Sequence, residues 1–291
     1  MIYLILSIFI SSSLFVIFKL FDKFQVNTFQ AIVVNYITAF CCGFFFYGNG
    51  ITLTEMTERS WMTGAIILGV LFIAVFILMA LTAQRNGLSV ASVAGKMSVV
   101  VPVIFAVIVY KEHLSLLKIA GIILALLAVY LTTVKNDGGG LDRKKLLFPL
   151  LLFLGSGIID TSIKYIETNY VAKGETAIFS AGIFGCAFLA GIIILIIRRD
   201  FKITGKTILG GIALGIPNFY SIVFLLKALR PENIGDSSTV YPINNVAIVM
   251  LSTIFGIILF KEKLIIKNWI GIAIAIVSIV MIAISAQSIN A

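Results

Sequence analysis

The chain reads as an all-α integral membrane protein, with ten transmembrane helices arranged as two inverted five-helix repeats. Three observations carry this expectation. Hydrophobic residues make up 60% of the chain and charged residues 12%, with a mean hydropathy of +1.12. Soluble domains run near half apolar and a quarter charged, so lipid has to be the solvent for most of this surface. The apolar residues fall in runs of about 20, the length of helix that crosses a ~30 Å hydrocarbon core with every backbone hydrogen bond satisfied internally. Finally, Tyr110-Lys111-Glu112, Leu114, Gly121, Ile122 and Ala125 recur 150 residues on as Phe260-Lys261-Glu262, Leu264, Gly271, Ile272 and Ala275.

Taken in order, the spans are predicted at about 2–20, 29–48, 62–83, 88–110 and 115–134, then 146–166, 175–197, 206–229, 235–260 and 265–286. The first lacks a basic leader and a small-residue cleavage site, so it reads as a span rather than a signal peptide. A polar linker at 135–145 carries Gly138-Gly139-Gly140 and divides a first repeat, 1–134, from a second, 146–291. Lys19 and Lys164, and Cys41 and Cys186, repeat with an offset of 145. Five crossings is an odd number, so the second repeat enters the membrane inverted, the arrangement that gives a carrier two related gates around a midplane site. Strands of a membrane barrel would alternate over ten-residue segments, and none do. Glycines such as Gly64, Gly69, Gly182, Gly185, Gly210, Gly211 and Gly215 suit close helix contacts in lipid. Spans five and ten, apolar throughout, read as a peripheral pair. Trp61 and Trp269 are expected to anchor span ends at the interface.

The net charge of +9 belongs to short loops, where basic residues set orientation and touch anionic headgroups rather than nucleic acid. Loops on the side of the termini hold Arg59, Lys111, Lys118, Lys173 and Arg230. The opposite loops hold Lys23, Arg85, Lys135, Arg143, Lys144, Lys145, Arg198, Arg199, Lys202, Lys206, Lys261, Lys263 and Lys267. By the positive-inside rule this count puts both termini outside. Three cysteines and a single His113, scattered through apolar runs and one loop, offer neither a disulfide framework nor a metal site. No nucleotide-binding, zinc-protease or nucleophile-elbow motif is present. An enzyme is not expected, and no cofactor or metal.

Charges within spans are the candidates for function, since each costs at least ~2.5–3.5 kcal/mol near the bilayer centre unless it faces a cavity or a partner. Lys96 is the deepest, about eight residues and ~12 Å into the fourth span. Lys19 and Lys164 lie nearer span ends, within reach of the interface. Asp160 precedes Lys164 by four residues, the favourable order for a helix pair. Lys227 reads as an interfacial anchor. With Asp236 at a span start, the balance inside the spans is four positive against one negative, which leans towards an anionic or zwitterionic ligand. Asn35, Asn218, Tyr220, Tyr241, Asn244 and Asn245 complete the candidate substrate-binding set. Pro217 and Pro242 free backbone carbonyls beside three of them, while plain interhelical hydrogen bonding explains such residues equally well.

The ten spans, the two repeats and the Lys-Glu-x-Leu segment with its downstream glycine resemble the drug/metabolite transporter superfamily, EamA-like branch. Pro102 fits the family's proline-containing fourth helix, and Ser252 stands in its place in the second copy. Lys96-Met97-Ser98 and Val101-Pro102-Val103 also resemble the fourth-helix lysine segment of nucleotide-sugar carriers. The resemblance implies a multi-pass inner (plasma) membrane carrier, monomer or homodimer, with both termini in the cytoplasm, opposite to the charge count. It implies a secondary transporter that moves a small organic solute by alternating access. An exchanger of organic anions or phosphorylated metabolites, a flippase for lipid-linked substrates and a structural membrane subunit stand as alternatives.

Overall fold

The computed structural model describes residues 1–47, 51–109, 116–133, 143–172, 174–199, 202–228 and 237–287. It contains α1 (Ile2–Lys23), α2 (Thr28–Tyr47), α3 (Leu53–Thr57), α4 (Met62–Arg85), α5 (Leu88–Met97), α6 (Val100–Val109), α7 (Leu116–Thr133), α8 (Arg143–Tyr170), α9 (Thr176–Arg198), α10 (Gly205–Ala228), α11 (Ser237–Phe260) and α12 (Ile266–Gln287). No strand occurs among the described residues. Nine stretches there are long and apolar enough to cross a membrane, α5 and α6 together forming one of them, and α7 adds a shorter apolar helix, Ile119–Thr133. The protein is an all-α, multi-pass membrane protein.

Four features depart from the sequence expectations. The fourth span is two helices, α5 and α6, joined by a turn at Ser98-Val99. The linker is shorter than 135–145, because Arg143, Lys144 and Lys145 form the first turn of α8, which also runs on to Tyr170. The polar extensions let that helix reach past the hydrocarbon at both ends. A short α3 was not expected. It starts at a capping box in which Glu55 N–H donates to Thr52 Oγ1 (3.3 Å) and Thr52 N–H donates to Glu55 Oε2 (2.7 Å), satisfying two otherwise orphaned donors. Trp61 is no interfacial anchor: it is 1% exposed, packed edge-on against Phe179 and covering Gly182. Trp269 remains exposed. The repeat segment Tyr110 to Leu114, with His113, and Asp236 lie outside the described residues.

Contacts at the helix ends fix the directions. Lys19, near the end of α1, donates to the Gln84 carbonyl near the end of α4 (2.7 Å), and Gln84 Nε2 donates to the Phe18 carbonyl (3.0 Å), so α1 and α4 run parallel. Arg85 at the end of α4 lies over the Phe148 ring at the start of α8 (5.0 Å), while Ser60 ahead of α4 donates to the Tyr170 carbonyl at the end of α8 (3.1 Å). Helix α8 is therefore antiparallel to α4 and to α1. We call the face where α1 starts the near face and the opposite one the far face.

The packing interleaves the two halves. Helix α1 packs on α10 and α11, and α8 packs on α4, α5 and α6; likewise α2 pairs with α10 and α4 with α9. Exchanging each helix for its counterpart in the other half leaves this pattern unchanged. Helices α7 and α12 pair at the periphery, where Ser278 donates to the Gly121 carbonyl (2.8 Å) and Asn268 to that of Thr132 (2.9 Å). Their outer faces, including Leu116, Ile123, Trp269 and Ile270, are exposed as lipid-facing residues are.

Two predictions follow from this packing. A Cβ at Gly157 would stand 2.4 Å from Val101 Cβ and 2.8 Å from the Ser98 carbonyl oxygen. Overpacking against backbone costs about 1–3 kcal/mol, so Gly157→Ala lowers the melting temperature in detergent, whereas Gly205→Ala, with nothing within 4 Å, leaves it unchanged. In the loop, hydrogen bonds from the Thr52 backbone and side chain, with Arg59 nearby, hold the Glu55 carboxyl below its usual value. A lowered folded value stabilises above the unfolded one and is lost as pH falls through it. The protection of the Thr52 and Glu55 amides, exchange being corrected for its intrinsic pH dependence, therefore falls in acid, and Glu55→Gln removes that pH dependence.

Candidate functional site

The break in the fourth span has a local cause. Pro102 has no N–H to return to the Ser98 carbonyl, and Val101 N–H takes that carbonyl instead (2.9 Å), tightening the chain into a turn. Ser98 Oγ donates back to the Gly95 carbonyl (2.6 Å). Helix α8 comes in closely here because Gly157 has no side chain to meet Val101 and Ser98. One turn on, α8 presents Asp160, whose Oδ2 lies 3.3 Å from Ser98 Oγ.

Helix α5 is packed on all sides, by α1, α4, α7, α8, α11 and α12. Every one of its residues is buried except Gly95 and Lys96. A Cβ on Gly95 would meet nothing within 4 Å. Because helices surround α5, this room is interior space rather than lipid. Asp160 is exposed. The exposed apolar stripe of α8 is Leu147, Leu150, Leu151, Leu154 and Ile158, and Asp160 lies roughly 80–180° round the helix from its members at 100° per residue. It too faces inward. Lys96 and Asp160 form no direct ion pair within 4.0 Å. A separated, inward-facing acid and base at membrane depth can hold water, a proton or a solute that carries complementary charges.

A second polar cluster ties α1, α2, α10 and α11. Asn218 Nδ2 donates to Asn35 Oδ1 (3.1 Å), and Asn35 Nδ2 to the Ile32 carbonyl (3.4 Å). Ser7 Oγ lies 3.1 Å from the Ser221 carbonyl and 3.3 Å from Asn244 Oδ1, and Ser221 Oγ donates to the Asn218 carbonyl (2.8 Å). Asn35, Asn218 and Asn244 are all buried. Helix α10 runs unbroken through Pro217. Asn245 is half-buried. Tyr220 is half-buried too, its ring 5.9 Å from Phe224, which stacks on Tyr3. The Tyr241 side chain lies outside the described residues.

The lysines do not converge. Lys19 is bound to the Gln84 carbonyl at the far face, and Lys164 is exposed and forms no ion pair with Asp160. The ion pair found among the described residues is instead Arg59–Glu175, 3.0 Å apart in the near-face loops. Asp160 turns to Ser98 across the helix interface because Gly157 admits the fourth span there. Lys227 sits over the Tyr3 ring (5.6 Å). Sequence reasoning does not single out Gly95, Ser7 or Ser221, since small residues are common in membrane helices and only packing shows which face a space. Among the described residues no group of His, Cys, Asp and Glu could hold a metal.

Residues 1–134 match the EamA-like transporter family. The match fits a membrane transporter of the drug/metabolite type, a family of carriers rather than enzymes, and so a small-molecule solute and a lipid environment. A Haemophilus influenzae protein described as uncharacterised is 29% identical over 282 residues, 95% of either chain. A solved crystal structure shares the fold, with a TM-score of 0.64 and 15% identity over 100% of this chain and 98% of that one.

The Asn35–Asn218 pair is testable as a unit. Asn218→Leu lowers thermal stability by on the order of 1 kcal/mol by stranding the buried Asn35 side chain. Adding Asn35→Leu costs little more, so a double-mutant cycle measured by thermal unfolding is non-additive.

Proposed function

We propose that the protein is a secondary transporter of the inner (plasma) membrane that moves a small polar organic solute by alternating access, with Lys96 and Asp160 as its charged contacts. The supporting observation is that a Cβ on Gly95 would meet open space on a helix otherwise buried, with the half-buried Lys96 beside it, while Ser98 just beyond lies against Asp160 of α8. Helix α5 belongs to the first half and α8 to the second, so the site lies between the repeats. That is where relative movement of two inverted units exposes a solute first to one face and then to the other. The break at Ser98-Val99 helps, because irregular backbone at membrane depth is tolerated where it lines a cavity.

The placement of Asp160 changes the reading of charge. Three convergent lysines would favour an anion, but only Lys96 faces the space, and an acid stands opposite it. A solute carrying both an anionic and a cationic group neutralises both without leaving either charge stranded. Asn35, Asn218, Asn244 and Ser7 act on this reading as the hydrogen-bonded frame of the opposite wall.

The experiment is a thermal-shift screen of the purified protein with zwitterionic, anionic and cationic solutes, followed by flux of each hit in proteoliposomes. Zwitterionic solutes raise the melting temperature most, and both Lys96→Ala and Asp160→Asn abolish that shift and reduce flux more than tenfold, the loss expected for one partner of a buried charge contact. Equal stabilisation by quaternary ammonium compounds, or normal flux in both variants, overturns the reading.

A further inference from the structure

The far-face end of α5 is held by a residue from the other half. Its N-cap is Gly87, which has no side chain to cap the helix and stands at φ 112°. The Leu88 N–H donates instead to Glu262 Oε1 (2.7 Å), and Ser89 Oγ lies 3.4 Å from Glu262 Oε2. Glu262 follows α11. A left-handed turn at Lys261 (φ 53°) brings it back so that its own N–H donates to the Gly256 carbonyl (3.0 Å). The slot is cut to fit: a Cβ on Gly87 would lie 2.9 Å from Glu262 Oε1, and one on Gly256 would lie 2.5 Å from Oε2. A carboxylate suits this place, because the first turn of a helix has unpaired N–H groups and a positive partial charge.

From these contacts we propose that Glu262 is a positioning residue for the solute site: it latches the far-face mouth and sets the position of Lys96 through α5. The proposal rests on the transport reading above. Helix α5 has ten residues and is cut off from α6 by the turn at Ser98-Val99. It is thus a lever held at one end by Glu262, and Lys96 rides ~12 Å along it at 1.5 Å per residue. For the far face to open, α11 and α5 separate there and the carboxylate leaves the N–H of Leu88. Engaged, the contact favours the far-closed state; released, it leaves a helix start uncapped and a charge to be hydrated by entering water.

The test uses the full-length protein in membrane vesicles of both orientations, without solute. Gly95→Cys puts a thiol into the open space beside Lys96, and its reaction with a membrane-impermeant methanethiosulfonate is read from each face against the unsubstituted protein, whose three cysteines supply the background. Adding Glu262→Ala raises far-face labelling relative to near-face labelling about tenfold or more, the population change expected from losing a hydrogen bond to a charged group. Glu262→Gln, which keeps the shape and an accepting oxygen, shifts the ratio the same way by less, and it decides the matter if the alanine variant does not fold. If Glu262 is only a helix cap, both variants lower the melting temperature and leave the ratio of far-face to near-face labelling unchanged, and the proposal fails. Because no solute is present, that failure leaves the assignment of Lys96 and Asp160 standing, and failure of the solute screen leaves the labelling result interpretable.

Discussion

Taking a charge out of water without a partner is the costliest thing a chain this apolar can do, and Lys19, Glu262, Lys96 and Asp160 meet that cost in different ways. Lys19 reaches the far face and binds a backbone carbonyl at 2.7 Å. Glu262 spends its charge on the N–H of a helix start. Lys96 and Asp160 do neither; Lys96 is half-buried, Asp160 is exposed, and no direct ion pair joins them. The first two solutions complete the structure. The third leaves two charges without a direct ion-pair partner, the arrangement on which the proposed solute site rests.

Small residues decide where such solutions are possible. Gly157 lets α8 approach the turn of the fourth span, which brings Asp160 to Ser98. Gly87 and Gly256 form the slot for Glu262. Gly215 brings α10 against α2 beside Asn35, where a Cβ would be 2.7 Å from the Asn35 carbonyl oxygen, and the Asn35–Asn218 bond crosses at that contact. With no hydrophobic drive between helices in lipid, close approach and the polar bonds it permits supply the association. Positioning therefore follows from residues that contribute no chemistry.

The two halves share a packing scheme but not a site. At the repeat offset of 145, Asp160 corresponds to Phe15, and at the offset of 150, Lys96 corresponds to Val246. The crossing of α8 with the fourth span thus carries charge, while the related crossing of α1 with α11 carries the neutral Ser7–Asn244 contact. The two related crossings carry different chemistry within one packing scheme.

The all-α membrane class and the approximate helix bounds were legible in the chain because each depends on local quantities, run length and loop polarity. Lys96 and Asp160 stood out for the same reason, as charges in apolar runs. What the chain alone left open was the partner of each. The i, i+4 spacing pointed Asp160 to Lys164, and only the fit of Gly157 against the fourth span turned it to Ser98 instead. Trp61 looked like an interfacial anchor until α9 covered it. Pro102 was visible as a helix breaker, but whether it would break the span or only bend it depended on which neighbouring group took the freed Ser98 carbonyl. Periodicity and composition report how a residue prefers solvent or lipid; which helix stands opposite it is settled by packing between segments more than sixty residues apart.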